Sequence, residues 1–138
     1  DYPTGTDAVP NNGNPGGDTG NSANVYDGDY TIGSPYWRTN VGFFGQSESP
    51  YGTFDQGGNV WEWTESVVYE GSGYAYRGFR GGSFNVDGSY LHASRRHYPA
   101  FEDVNIGFRV SEVPEPASIA ILALGGIGML VRRGGLGR

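Results

Sequence analysis

Between Phe54 and Trp63 the chain reads FDQGGNVWEW, which sets two carboxylates, Asp55 and Glu62, and the amide of Asn59 around a Gly57-Gly58 pair. Hard oxygen donors suit hard cations, and paired glycines let a backbone take positive φ and approach a neighbour closely. The segment reads as an ordered, ion-holding loop. Other reactive side chains are few. No cysteine is present, which excludes disulfides, thiolate metal sites and thiol nucleophiles. The only imidazoles, His92 and His97, lie five residues apart; on an extended segment they face opposite ways and make no metal pair. Ser83, His92 and Asp87 can be imagined as a nucleophilic triad, but no nucleophile elbow surrounds Ser83.

Arginine is the only basic residue type besides those histidines. From Asp1 to Val113 there are six arginines against fourteen acids, a net charge of −8, whereas Pro114 to Arg138 carries one acid and three arginines, net +2. An acidic body without lysine releases few counterions from a phosphate backbone, so nucleic acid is not an expected partner. Cations and carbohydrate are. Arg80, Arg96 and Arg109 are expected to brace the fold by bidentate pairing with acids such as Glu62, Glu65 or Asp87, and the same fork would also recognise a carboxylated or sulfated ligand. Ten tyrosines and three tryptophans serve either as core or as platforms for sugar rings.

These residues need a scaffold, and composition limits what it can be. With 25 Gly and 8 Pro among 138 residues, long helices are not expected in the body, while a 14% aromatic content supplies enough apolar surface to pack a core. Residues 1–23 are turn and loop chemistry, rich in Gly, Asn and Pro. The run Asn11 to Asp18 lacks the alternation and terminal glutamate of an EF-hand, so it reads as a solvated loop in which Asp18 matters little. Short strands are predicted at Val41 to Phe44, Val60 to Val68, Tyr90 to Ser94 and Ile106 to Val110, with a hairpin over Tyr74 to Phe84 leading into Gly81-Gly82. Pro99 breaks the connection from His97 to Asp103. A small antiparallel sheet follows.

The last 25 residues obey other rules. Val113-Pro114-Glu115-Pro116 precedes an apolar, small-residue run over 117–131, closed by Arg132-Arg133. The run falls short of the roughly 20 residues that span a bilayer comfortably, and Gly125, Gly126 and Gly128 would each cost a water-exposed helix roughly 1 kcal/mol against alanine. Membrane helices tolerate such glycines. The motif resembles the PEP-CTERM protein-sorting tail, which implies a C-terminal transmembrane-type helix and membrane association through 117–131. It further implies a tail-processing sorting protease and export to the envelope or surface of a bacterium with an outer membrane.

Four motifs in order, GNVWEW, then Arg80-Gly81-Gly82-Ser83-Phe84, then Ser94-Arg95-Arg96, then Ile106-Gly107-Phe108-Arg109-Val110, resemble the C-terminal part of the formylglycine-generating enzyme, or sulfatase-modifying-factor, family. The resemblance divides the chain into a loop region over 1–23 belonging to a truncated domain, a domain portion over 24–112, and the sorting tail over 113–138. It implies an α+β, loop-rich, C-type-lectin-like fold held together by structural calcium. The implied ligands are the carboxylate of Asp55, the carbonyls of Gly58 and Val60 and the side chain of Glu62, with a second site starting at Asn24 and the Val25 carbonyl. In the family's enzymes a pair of cysteines shortly after Gly-Gly-Ser binds copper and carries the oxidation. Those places are Val86 and Leu91 here, so no copper is expected, because Cu(I) favours soft sulfur ligands. The implied function is an exported, non-catalytic binding or structural module for a carbohydrate or surface-protein ligand. The alternative is an enzyme, an oxygenase or sulfatase-maturation-like factor, with its reactive residues in an upstream half.

Overall fold

The computed structural model describes residues 1–14, 16–71, 74–98 and 104–110, with only the backbone at 68–71 and 74. The apolar run 117–131, its transmembrane-type helix and Arg132-Arg133 lie outside the described residues. Among those residues no helix is long and apolar enough to cross a membrane.

The alternation of bulky and polar residues in WEWTESVVYEG forms β1, Trp61–Gly71, which pairs with β2, Tyr74–Arg80. Along β1 successive side chains leave opposite faces, so Trp61 and Trp63 share one face and Glu62 and Thr64 the other. The pairing is antiparallel with irregularities between Trp63 and Val67 and between Val67 and Tyr69, the kind of bulge that increases twist. A two-residue strand, β3, Ile106–Gly107, adds to the other side of β1 in parallel, giving the order β2-β1-β3.

The sheet is therefore mixed and not purely antiparallel. Val41 to Phe44 is not a strand: 41–43 are turn and bend and Phe44 is in no regular element, because the amide of Phe43 bonds the Asn40 carbonyl and closes a turn. The segment expected as a strand at Tyr90 to Ser94 begins instead as a 3-10 turn, Gly88–Leu91, whose first turn is capped by the Asp87 carboxylate accepting from the Ser89 amide at 2.8 Å. A local side-chain acceptor of this kind competes with strand pairing. Residues 108–110, expected as part of a strand, are not in one. No α-helix occurs among the described residues.

Two apolar centres hold these pieces. Ala23, Val25 and Leu91 form one, with Tyr2 packed against it. Trp61 and Phe79, each 4% exposed, form the other, their rings 5.0 Å apart, with Tyr90 and His97 against the indole. Much of the remaining interior is polar: Asn12, Ser22, Asn24 and Ser83 are almost fully buried. Such groups are tolerated only when hydrogen-bonded, and here they stitch the loops. The Asn12 amide donates to the Asp29 carbonyl at 2.8 Å, and the Ser22 amide donates to Ser47 Oγ at 2.7 Å.

Asp18 departs most from the sequence reading. It ties the leading loop to the next one, its carboxylate accepting from the amides of Gly20, Gln46 and Ser47 at 3.0, 2.6 and 3.2 Å and from the Ser47 hydroxyl. Partial burial pushes its pKa up, but the bonds from Ser47, Gly20 and Gln46 outweigh it and hold the group below its ordinary 3.8. Asp18→Asn is expected to cost about 1–2 kcal/mol, since bonds to a charged acceptor are strong but this one is partly solvent-screened. A depressed folded pKa gives stability that is full above the unfolded value and lost as pH falls through the folded one. The gap between wild type and Asp18→Asn in urea midpoints should thus be present at neutral pH and close as pH falls below the ordinary carboxylate range, through the depressed folded pKa.

Candidate functional site

The loop before β1 turns back on itself through left-handed residues. Asp55, Gly58 and Asn59 have φ of 52°, 75° and 66°, a region that glycine takes freely and asparagine and aspartate tolerate better than most. The turn brings Gly58 against Asn24 in a parallel bridge. A Cβ on Gly58 would lie 2.5 Å from the Asn24 carbonyl oxygen, so only glycine permits this approach. Asn59 then becomes a hub: its Oδ1 accepts from Asn24 Nδ2 at 3.0 Å and the Thr39 amide at 3.1 Å, and its Nδ2 donates to the Thr39 carbonyl at 3.3 Å.

These contacts wall a cavity of about 370 Å³ that Asn24, Asp55, Gly58, Val60, Glu62 and Arg109 line together. Five of the six residues expected as cation ligands thus meet around one space. Val25 does not line it; that side chain is fully buried in the apolar centre with Ala23 and Leu91. Asp55 presents its carboxylate to the amides of Gly42 and Phe44. Arg109, just past β3, grips Glu62 with a fork: Nε to Oε1 at 3.0 Å and to Oε2 at 3.1 Å, and Nη2 to Oε1 at 2.6 Å. The same Nη2 also donates to the Asp55 carbonyl. Hydrogen bonding to Glu62 raises the Arg109 pKa, against partial burial.

A calcium ion would require free oxygen lone pairs, and the donor set retains them. A carboxylate accepts about four hydrogen bonds, whereas Glu62 accepts three from Arg109 and Asp55 accepts two. The Gly58 carbonyl accepts one, from the Val60 amide at 2.8 Å. Asn24 Oδ1 is buried and has no hydrogen-bond partner, although its amide nitrogen donates to the Trp37 carbonyl and to Asn59. Free lone pairs on Glu62, Asp55 and the Gly58 carbonyl, around a cavity that Asn24 also lines, fit a hard cation.

Val86 and Leu91, the places expected to match the family's copper-binding cysteines, do not line this cavity. Leu91, 4% exposed, is the point on which both glycine motifs close: a Cβ on Gly57 would come 2.9 Å from Leu91 Cδ2, and one on Gly82 would collide with Leu91 Cδ1 and lie 3.7 Å from Val86 Cγ2. Val86 and Leu91 therefore converge at Gly82. Apolar carbon fills that place. Ser83, His92 and Asp87 are engaged separately: Ser83 Oγ donates to Asn85 Oδ1 at 2.7 Å, His92 Nδ1 bonds Ser94 Oγ at 2.8 Å, and Asp87 caps the 3-10 turn. The His97 ring packs on Trp61 and Phe79.

Sequence reasoning placed Asn59 among the loop's oxygens but missed that it is the hub joining three segments. It also missed Asn105, whose carbonyl accepts the first amide of β1 at 2.7 Å and whose side chain donates to Asn85. Asparagine directly after a glycine pair, a residue suited to left-handed backbone, was the available signal for Asn59.

A loop-built domain with a short mixed sheet, a glycine-clamped oxygen cavity and an Arg-Glu brace defines the class. Residues 1–113 match the sulfatase-modifying factor enzyme 1-like domain, and the chain belongs to that family. Residues 112–134 match the PEP-CTERM protein-sorting motif, which marks the protein for export and sorting to the cell envelope or surface and implies membrane association and processing by a sorting protease. A curated relative, the inactive C-alpha-formylglycine-generating enzyme 2 of Mus musculus, is 34% identical over 103 residues, covering 64% of this chain and 32% of the mouse protein. The chain spans about a third of that relative's length.

Proposed function

We propose that this protein is a non-catalytic, surface-displayed binding module on the C-type-lectin-like scaffold of its family, with a structural calcium ion in the cavity beside Asn24, Asp55 and Glu62. One observation carries the non-catalytic part. Val86 and Leu91, at the places of the family's copper-binding cysteines, are packed around Gly82, and no cysteine exists anywhere in the chain. Copper(I) held by thiolates has no ligand there. The mouse relative's description as inactive points the same way.

Asn24, Asp55 and Glu62, with the Gly58 and Val60 carbonyls, would hold the calcium ion. Its role there is to neutralise two carboxylates and clamp the Asn24 bridge to the loop before β1. Arg109 keeps Glu62 oriented whether or not the ion is bound.

The test is chemical. A cysteine-containing sulfatase peptide incubated aerobically with the protein and copper is expected to keep its mass. A product lighter by the loss that accompanies conversion of a thiol to an aldehyde overturns the proposal.

A further inference from the structure

Four large apolar side chains line the oxygen cavity without being covered: Val41 is 100% exposed, Val110 81%, Phe108 77% and Phe54 40%. They come from three stretches of chain, the turn at 40–43, the loop before β1 and the segment just past β3, so the fold gathers them into one patch beside the cavity. Exposed apolar residues scattered singly need no explanation, whereas several brought together mark a contact with another apolar surface.

The patch is held in shape from within. The amide of Phe43 bonds the Asn40 carbonyl, and the Asp55 carboxylate accepts from the amides of Gly42 and Phe44, which fixes the turn that carries Val41. Past β3, Arg109 stands between Phe108 and Val110, and its guanidinium is taken up by the Glu62 carboxylate and the Asp55 carbonyl. A charge moved out of water without a partner is costly; the guanidinium nearest the patch already has one. What the segment 108–110 leaves to solvent is therefore chiefly the Phe108 and Val110 side chains.

We propose that this patch seats the body on the bilayer surface while the sorting tail is still attached, with Val41, Phe54, Phe108 and Val110 in the interfacial layer of the lipid. The tail selects the occupant. Residues 112–134 match the sorting motif, which implies membrane association, and six residues, 111–116, separate Val110 from the apolar run over 117–131. A fully extended chain advances at most roughly 3.6 Å per residue, so Val110 stays within about 25 Å of the inserted run. So short a tether holds the patch at high effective concentration against lipid and against no other partner. Four side chains, too few to hold an untethered protein on a vesicle, then suffice, just as one weak lipid anchor becomes stable with a second contact. The attraction is apolar and not electrostatic, because the body, with six arginines against fourteen acids, is repelled by anionic lipid.

The chain has no cysteine, so a cysteine placed at one position takes a fluorescent label there alone. The whole chain is to be inserted through its tail into phosphatidylcholine nanodiscs holding one copy each, labelled at Val41→Cys, Phe108→Cys, Val110→Cys or Val9→Cys. Quenching is then read with a lipid that carries a nitroxide on its upper acyl chain. Val41 carries the test, because Val110 is near the bilayer by connectivity alone, whereas Val41 lies more than seventy residues before the apolar run. Labels at 41 and 108 are expected to be quenched severalfold more strongly than the label at Val9, which is half-exposed but does not line the cavity. Serine at both Phe108 and Val110 is expected to cut the quenching at 41 severalfold, and Val41→Ser to cut it at 108. Melting curves show whether each variant folds, and either one carries the comparison. Added salt should leave the quenching unchanged, since an apolar contact has no charge to screen, and anionic lipid should not increase it.

Strong quenching at 110 with none at 41 would mean that the body hangs clear of the bilayer on its linker. Equal quenching at Val9 would mean non-specific adsorption, and quenching that needs anionic lipid an electrostatic contact. A label at 41 that changes only in discs holding two copies would make the patch an interface between copies. Each of these results overturns the proposal. None of them bears on the peptide mass, so failure here is distinguishable from failure of the non-catalytic reading.

Discussion

Gly58→Ala is expected to destabilise the domain by about 2–5 kcal/mol, the upper end of which leaves it largely unfolded if its total stability lies near the low end of the usual 5–15 kcal/mol. Two costs combine. At φ of 75° an alanine suffers the left-handed penalty of about 1–2 kcal/mol, and its Cβ would stand 2.5 Å from the Asn24 carbonyl oxygen and 3.0 Å from the Asn24 carbonyl carbon and amide nitrogen. Those are backbone atoms that cannot rotate away. Relieving the overlap would strain the bonds from the Asn59 amide to the Asn24 carbonyl at 2.8 Å and from the Gly58 amide to the Gly81 carbonyl at 2.7 Å, an overpacking cost of about 1–3 kcal/mol. Gly42→Ala supplies the comparison. It has φ of 81° but nothing within 4 Å of an added Cβ, so it is expected to lose only the left-handed penalty of about 1–2 kcal/mol. Urea midpoints measured side by side should separate the two variants clearly. Equal losses would mean that the close approach of Gly58 to Asn24 does not exist in solution.

Gly58 also shows what could be read from residues alone. A glycine pair followed by Asn, Trp and Glu announces a sharp turn feeding a strand, and β1 begins where that pattern ends, at Trp61. The strand at Tyr74 to Arg80 was legible for the same reason, since aromatic alternation marks a half-buried strand; the hairpin expected to turn at Gly81-Gly82 instead joins β1 to β2, which pair from Gly71 and Tyr74 onward. The mixed character of the sheet was not. Parallel pairing of Trp61 with Ile106 is set by a connection of more than forty residues, and nothing local in Ile106-Gly107 states its direction. The 3-10 turn was missed because its cause is a single side-chain bond from Asp87, which outweighs the strand preference of Tyr90 and Leu91. Asp18 was misread through composition: Gly- and Asn-rich text usually means solvated loop, but one carboxylate facing three amides makes a fixed joint. In the site, the oxygen-bearing residues were legible by type. Their convergence with Asn24 depended on a bridge between segments more than thirty residues apart, and the grip of Arg109 on Glu62 on the placement of β3.

That grip makes calcium dependence the sharpest test of the cavity. If one ion binds the folded protein only, free calcium at a hundredfold excess over its dissociation constant adds about 2.7 kcal/mol, which for a domain of this size raises the melting temperature by roughly 10 °C. Glu62→Gln removes a charged oxygen and is expected to shrink the calcium shift severalfold. Arg109→Gln is expected to act in opposite directions with and without the ion. In chelator it loses a partly exposed ion pair worth about 1 kcal/mol, so the protein melts lower. With calcium it frees three acceptor positions on Glu62 and removes a competing positive charge, so the calcium shift grows beyond that of wild type. Asn24→Ala addresses the orphaned Oδ1: it too should shrink the shift, whereas an Asn24 that serves only to brace Asn59 would lower both melting curves equally. Differential scanning calorimetry of the full-length protein in calcium and in chelator reads all four. If chelator leaves the melting temperature of wild type and Arg109→Gln alike unmoved, the cavity holds no calcium, and Asp55 and Glu62 serve only the turn at Gly42 and the bridge to Arg109.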